Sequence, residues 1–546
     1  MKHREQEFLR LMKDADRRFY AEIAGRRADP DAFAASRKGK ASKVGKHLGK
    51  IGKIAVGAVL TAALLGAGGM AAIVAMRGTQ GGNNQSEDSS GAVQFTLHLT
   101  EDDGTEPVTT IFVNPRNTYG FEDIAETAEG WYYLARKQEL LYDTTSDGFP
   151  SGGGEEREYF CFKSKETGEV IPLCARPNCL HDGNEFCEAS TNVYQGGTGL
   201  IEEGGRLYRI ADRVTEGADS KADGTYILSY APDGTGIEEL VKLSDRYYGT
   251  HCKYRGYLFF TELVYTEFSN AETQVTYRQE GWRLCCYEFA TGKAYSLCAH
   301  LPEGQKTAYY SVPVQMFGIG DDLYLYSRRG NNKETGMGLF RFDLNTMELE
   351  QIDQGANIET ERVSAARDAI YYVNKVGYQS VGMRYDCKTH EWTEGLSEVR
   401  ESWNDAAQAF PQILREGSYT LWANESFNKE TCRKEHLIVL GDKEGHELAR
   451  ADLKPMGETE YFTVRDGYLY VRTYGWKMIV SESWDESGFS PELSWNPDAD
   501  LNSYLLRVSL SDFAAGRTNP MEWEKLLTIS DVTAKETYLD WAHEDG

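Results

Sequence analysis

The sequence predicts an all-β body, a β-propeller of about seven blades, preceded by one transmembrane helix and a short cytoplasmic amphipathic helix. Three observations predict it. A two-part strand motif alternates without a break from Gly130 towards the C-terminus. Gly or Asp punctuates that motif at near-regular spacing. A long uncharged stretch, Ile54–Met76, stands apart from it near the N-terminus.

Residues 1–53 form a basic head. They carry 15 Lys/Arg against 7 Asp/Glu, whereas the whole chain has a net charge of −26, so the body beyond the span is strongly acidic. Phe8, Leu11, Met12, Ala15, Phe19 and Ile23 recur at helical spacing. They predict an amphipathic helix that lies on the membrane or docks a cytoplasmic regulator through Phe8, Met12, Phe19 and Ile23. The run from Met12 to Ile23, followed by a basic segment and a span, loosely resembles the cytosolic heads of membrane-tethered anti-sigma-type regulators of Gram-positive bacteria. That likeness implies a signalling role for the head.

Residues 54–76 predict the transmembrane helix. As a helix they extend about 34 Å, enough for a hydrocarbon core of about 30 Å. Seven basic residues and no acidic one lie between Ala34 and Lys53. Positive charge on that flank orients the N-terminus to the cytoplasm and the body to the outside. A cleaved signal peptide fits poorly, because its charged region would be 53 residues long. Residues 77–91, rich in Gly, Asn, Ser and Gln, read as a flexible linker averaging about 20–25 Å. An acidic exterior argues against nucleic acid, which needs a basic footprint.

Residues 92–546 make the extracellular propeller. Val93–Thr100 alternates like a strand. The first part of the motif then opens on a turn residue and an aromatic-aliphatic strand, at Trp131, Leu207, Leu258, Leu323, Ile370, Tyr419 and Leu469. The second part, strand–polar turn–strand, starts near Tyr159, Tyr226, Leu284, Leu339, Met383, Leu437 and Leu505. Each unit supplies about four short strands, the content of a propeller blade. Eight blades result if Val93–Val113 forms another, and six if the unit at Gly417 is misread. An early strand that pairs with the last blade would close the ring.

Two insertions carry chemistry. Residues 174–187 hold Cys174, Cys179, His181 and Cys187. Three thiolates and an imidazole can close a tetrahedral structural zinc site. A disulfide between two of the cysteines, with one thiol left over, is the alternative outside the cell. The run Leu173-Cys174-Ala-Arg-Pro177-Asn-Cys179-Leu-His181 resembles the Leu-Cys-x-x-Pro-x-Cys-x-His signature of uncharacterised propellers. Those are surface-anchored proteins of Gram-positive, Clostridia-type bacteria. The resemblance implies a propeller and an external location, and carries no activity.

The second insertion, residues 476–500, reads as a long polar loop with Trp476, Trp484, Trp495, Asp485 and Glu486. Aromatics beside acids can stack sugars or hold cations, and a hairpin whose tryptophans pack on their own blade is the plainer alternative. The sequence contains no nucleophile elbow, P-loop, dinucleotide turn or zincin helix. His251, His300, His390 and His436 fall in different units. The expectation is an external binding, sensing or scaffold protein whose partner is an envelope glycan, peptide or surface protein. A propeller hydrolase or lyase acting on carbohydrate or peptidoglycan and a transmembrane signal transducer are the alternatives.

Overall fold

Strands here are apolar on both faces because each sheet is covered on both sides. Tyr257 and Phe259 pack towards Leu323, Leu325 and Phe340, whereas the alternate residues Leu258 and Phe260 pack towards Tyr208, Ile210 and Ile227. Successive side chains of a strand point to opposite faces, so an uninterrupted apolar run is what a doubly covered strand requires.

The computed structural model describes residues 96–102, 107, 109–112, 121–142, 152–174, 176, 179, 187–190, 194–214, 222–243, 246–269, 276–301, 309–330, 336–352, 363–376, 379–394, 413–428, 433–443, 446–456, 458–474, 479–485, 488–494 and 502–536. All belong to one compact unit, Ala71–Gly546. The head, the span and the linker lie outside the described residues, and no described helix is long and apolar enough to cross a membrane.

After β1 (Ile111–Phe112), a first run comprises β2 (Ala125–Glu126), β3 (Gly130–Tyr142), β4 (Gly152–Ser164) and β5 (Val170–Pro172). The second has β6 (Tyr194–Gln195), β7 (Ile201–Glu203), β8 (Arg206–Val214), β9 (Ala222–Tyr230) and β10 (Glu238–Lys242). The third has β11 (Arg246–Tyr254), β12 (Tyr257–Ser269), β13 (Thr276–Glu288) and β14 (Lys293–His300). The fourth has β15 (Tyr309–Ile319), β16 (Asp322–Gly330), β17 (Gly336–Asp343) and β18 (Leu349–Gln351). The fifth has β19 (Ser364–Ala366), β20 (Ala369–Val376), β21 (Gln379–Asp386) and β22 (Glu391–Glu394). The sixth has β23 (Ile413–Glu416), β24 (Tyr419–Asn428), β25 (Arg433–Gly441) and β26 (Glu447–Asp452). The last has β27 (Glu458–Arg465), β28 (Tyr468–Tyr474), then a hairpin of β29 (Ile479–Asp485) and β30 (Gly488–Ser494), then β31 (Ser503–Ser509) and β32 (Glu524–Glu536). A short helix, Leu510–Ala514, capped by the Ser509 hydroxyl, precedes β32.

Within each run paired strands are antiparallel and follow chain order, except that β6 and β7 both pair with β8 and that β28 pairs directly with β31, leaving β29–β30 as a separate hairpin. The innermost strands of neighbouring runs touch, with β7 in that place in the second run: β2 on β7, β11 on β15, β19 on β23 and β23 on β27. Apolar clusters fill the spaces between sheets. One joins the last run to the first through Tyr461, Leu505 and Leu527 against Trp131 and Tyr133. This is the layout of a propeller, with sheets packed face to face around an axis lined by their first strands. The ends of the chain seal it: β32 pairs parallel with β3 over Ser530–Glu536 and Arg136–Tyr142, and β1 adds to the inner edge of β27. The predicted pairing of an early strand with the last run is therefore present.

One expectation changes. The described part of the predicted strand Val93–Thr100, residues 96–100, forms no ladder. Its hydrogen bonds go elsewhere: the His98 N–H donates to Tyr257 Oη (2.9 Å), and the Thr100 N–H to the Arg255 carbonyl (3.2 Å). At 476–500, read as a polar loop or a hairpin extension, the backbone forms the hairpin, with Val480 opposite Leu493 and Trp484 opposite Phe489.

Candidate functional site

The first strands converge on a cavity of about 520 Å³. Its walls come from β2, β7, β11 and β15, and from the segment leading into β2 through Thr100, Thr110, Phe121 and Ile124. A volume in this range suits a small-molecule site, and the lining mixes apolar and charged groups. Lys253 pairs with Glu203 (2.7 Å). Glu126 lies 2.8 Å from Lys165 and 3.8 Å from Arg465. Arg255 pairs with Asp321 (2.7 Å) and donates from Nε to the Thr100 carbonyl (2.6 Å). Ion pairs between neighbouring runs thus hold the charged wall in register.

Deeper in, Asp123 and His251 face each other with Oδ1 and Nε2 3.7 Å apart, each side chain less than a tenth exposed. The Gly199 N–H donates to the same carboxylate oxygen (2.6 Å). That close approach needs Gly199, because a Cβ there would run into the Asp123 backbone. At 3.7 Å this is a charge contact rather than a hydrogen bond, and it favours the imidazolium form of His251. Asp123 and His251 are 128 positions apart in the chain, and nothing in either local sequence announces the pair.

The other predicted histidines have separate surroundings. His300 stacks on Trp282 (5.3 Å between centroids), and His390 stacks on Tyr385 with Nε2 3.7 Å from Asp322. Of His436 only the backbone, opposite Glu425, is described.

The structure brings Cys174, Cys179 and Cys187 together: their sulfur atoms all lie within 4.8 Å of one another, and all three are free thiols. Cys187 is buried and the other two are half-buried. Burial pushes the Cys187 thiol up to about 12, with Cys179 adding to the effect. At Cys174 burial also acts upward, but hydrogen bonds from the Arg176 and Glu188 backbone N–H groups outweigh it and lower the value. Such a thiol set can hold a soft metal ion. His181 lies outside the described residues. So do Trp476, Glu486 and Trp495 of the second insertion, and Phe8, Met12, Phe19 and Ile23 of the head. Trp484 and Asp485 are placed only as backbone, near the tip of the β29–β30 hairpin.

No family model matches the chain, and no curated protein does. Among solved structures the chain is similar to TolB from Acinetobacter baumannii, at 11% identity and a TM-score of 0.28, covering 69% of this chain and 77% of that one. It is similar to the β-propeller domain of the Trilobed protease from Pyrococcus furiosus, at 9% identity and a TM-score of 0.32, covering 62% and 97%. A third is the Pyrococcus horikoshii acylaminoacyl peptidase, at 10% identity and a TM-score of 0.37, where 77% of this chain spans 55% of the peptidase, about half its length.

Proposed function

We propose that this chain is a membrane-tethered binding protein, with a cytoplasmic head, a single span at Ile54–Met76 and a seven-bladed external propeller that takes its ligand in the central cavity. The cavity carries the reading. It is enclosed by four of the innermost strands, is about 520 Å³ in volume, and offers apolar, cationic and anionic groups within one wall. The seven runs of strands support the blade number, and the basic residues before the span support the orientation. Envelope glycans, peptides and the exposed parts of other surface proteins are the ligand classes an external propeller would meet.

The test is a binding screen of the full chain in detergent against envelope glycans and peptides, with Ile124→Trp as the blocked control. The expected result is a ligand whose binding Ile124→Trp abolishes while the melting temperature is kept. Binding indifferent to that substitution would remove the cavity from the reading.

The Asp123–His251 pair favours a second reading, a propeller hydrolase or lyase acting on carbohydrate or peptidoglycan. Turnover of a bound glycan that His251→Gln abolishes without weakening binding would establish it.

A further inference from the structure

The connection from β5 to β6 crosses from the first run to the second, and its composition gives it little with which to bury itself. Between Cys174 and Cys187 the only large apolar side chains are Leu180 and Phe186. The backbone nevertheless gathers three sulfurs from this stretch. The Leu173 N–H donates to the Phe160 carbonyl (2.8 Å) and the Cys174 N–H to the Pro172 carbonyl (2.8 Å), which sets the first thiol at the end of β5. The Cys179 N–H turns back to the Arg176 carbonyl (3.3 Å). Cys187 opens a turn closed by the Ser190 N–H (3.0 Å), and the Phe160 N–H donates to the Ala189 carbonyl (2.9 Å). An ion pair between Arg176 and Glu188 (3.3 Å) ties the two arms of the connection together.

We propose that Cys174, Cys179 and Cys187 bind a zinc ion that fastens the seam between the first two blades. Zinc–sulfur bonds of about 2.3 Å in a tetrahedron set the sulfurs about 3.8 Å apart. Three sulfurs within 4.8 Å of one another need to close by no more than about an ångström to reach that geometry. A disulfide needs about 2.0 Å and consumes two of the three, leaving the third beside it unused. Thiolates are soft donors, so the site selects zinc over magnesium or calcium, which take oxygen. Binding releases the thiol protons to solvent and moves no electrons.

The position of the cluster gives the ion its role. Cys187 packs in one apolar cluster with Tyr132 and Phe160 of the first run and with Tyr226, Leu228 and Tyr230 of the second, and Cys174 and Cys179 pack against it. Gly234, at φ +82°, brings the turn of the second run so close to Leu173 that a Cβ there would collide with its backbone. The metal takes the place of the core this polar connection lacks, and the seam it closes adjoins Ala125, which lines the central cavity.

The experiment uses the full chain purified in detergent under reducing conditions. Elemental analysis is expected to find about one zinc per chain, and cobalt exchanged for zinc is expected to show intense thiolate-to-cobalt charge transfer. Cys179→Ser is expected to lose both signals, and Cys252→Ser, on β11, to keep both. Should Cys179→Ser fail to fold, hydrogen exchange of chelator-stripped wild type replaces it. Exchange then rises at residues 173–174, 187–190 and 226–230 and returns to its original level when zinc is restored. A wild-type chain that takes up neither zinc nor cobalt overturns the proposal. So does a disulfide between two of these cysteines in protein from native membranes, or exchange unchanged by chelation.

Discussion

Arg209 is only 1% exposed, yet each of its three guanidinium nitrogens donates a hydrogen bond. It donates to the carbonyls of Tyr194 (2.9 Å), Gly196 (2.7 Å) and Thr198 (3.0 Å) and lies 4.8 Å over the Phe160 ring. One side chain thereby shapes the entry to the second run and joins it to the first. Arg209→Ala strands three carbonyls and opens a cavity, so it is expected to cost about 3–5 kcal/mol in denaturant melts. Arg209→Lys is expected to recover little, because an ammonium lacks the planar fork. In the sequence this arginine is one more charged residue in an alternating strand, and nothing local marks it as buried. Carboxylates at the turns are easier to read. Asp386 accepts the N–H groups of Thr389 and Lys388 (3.0 Å each) and pairs with Arg384 (2.8 Å), which holds it well below the usual carboxylate range. At Asp343 partial burial acts upward, but the Thr346 and Asn345 N–H groups outweigh it and the value is lowered. A carboxylate lowered by folding stabilises the fold above its unfolded value of about 3.9 and loses that contribution as pH falls. The stability gap between wild type and Asp343→Asn should therefore be open at pH 7 and close below about pH 4, as followed by urea melts across pH.

The turn-plus-aromatic motif is legible because it encodes a particular hairpin. Gly204 and Gly205 (φ +59° and +77°), Arg255 and Gly256 (+47° and +87°) and Asp466 and Gly467 (+53° and +75°) each place two positive-φ residues between the first and second strands of a run. Two-residue turns of this kind match strand twist and favour glycine or a small polar residue, Arg255 being the exception, so the sequence shows them. Gly467 has open space where a Cβ would go, and Gly467→Ala is expected to cost about 1 kcal/mol through its dihedral alone. Gly130→Ala is expected to cost more, because its Cβ would run into the Lys163 carbonyl and the Phe162 ring. Paired thermal melts check the order. The β29–β30 hairpin is less sharply marked, and the sequence leaves it beside a loop reading, because Gly488, Pro491 and the acids around it break the apolar alternation that marks a strand. The cysteine spacing was readable as a site, whereas the choice of metal or disulfide rests on distances that no spacing contains.

At the scale of the molecule, what the sequence concealed is how the ring is held at its centre. Residues before the first blade bind runs far apart: Thr109 exchanges hydrogen bonds with Ala365 (2.9 and 3.3 Å) and accepts from Thr463 through its carbonyl (2.7 Å). Such contacts span more than 250 positions and leave no periodic trace. They also orient the body. The chain enters beside Arg255, at a turn between first and second strands, and residues next to the corresponding turns of other runs, such as Glu203, Gly318 and Arg465, line the same cavity. Residues 98–100 therefore lie on the face of these short turns, whereas the β29–β30 hairpin and the β5–β6 connection join the opposite ends of the strands. If residues 54–76 cross a bilayer, as proposed above, a linker averaging about 20–25 Å holds the turn face towards it. An epitope inserted between Gly417 and Ser418 should then bind its antibody fragment more slowly in proteoliposomes than one inserted between Asp485 and Gly488, with the difference vanishing in detergent. Equal rates on the membrane would mean that the body tumbles freely on its linker and that neither face is reserved for ligands.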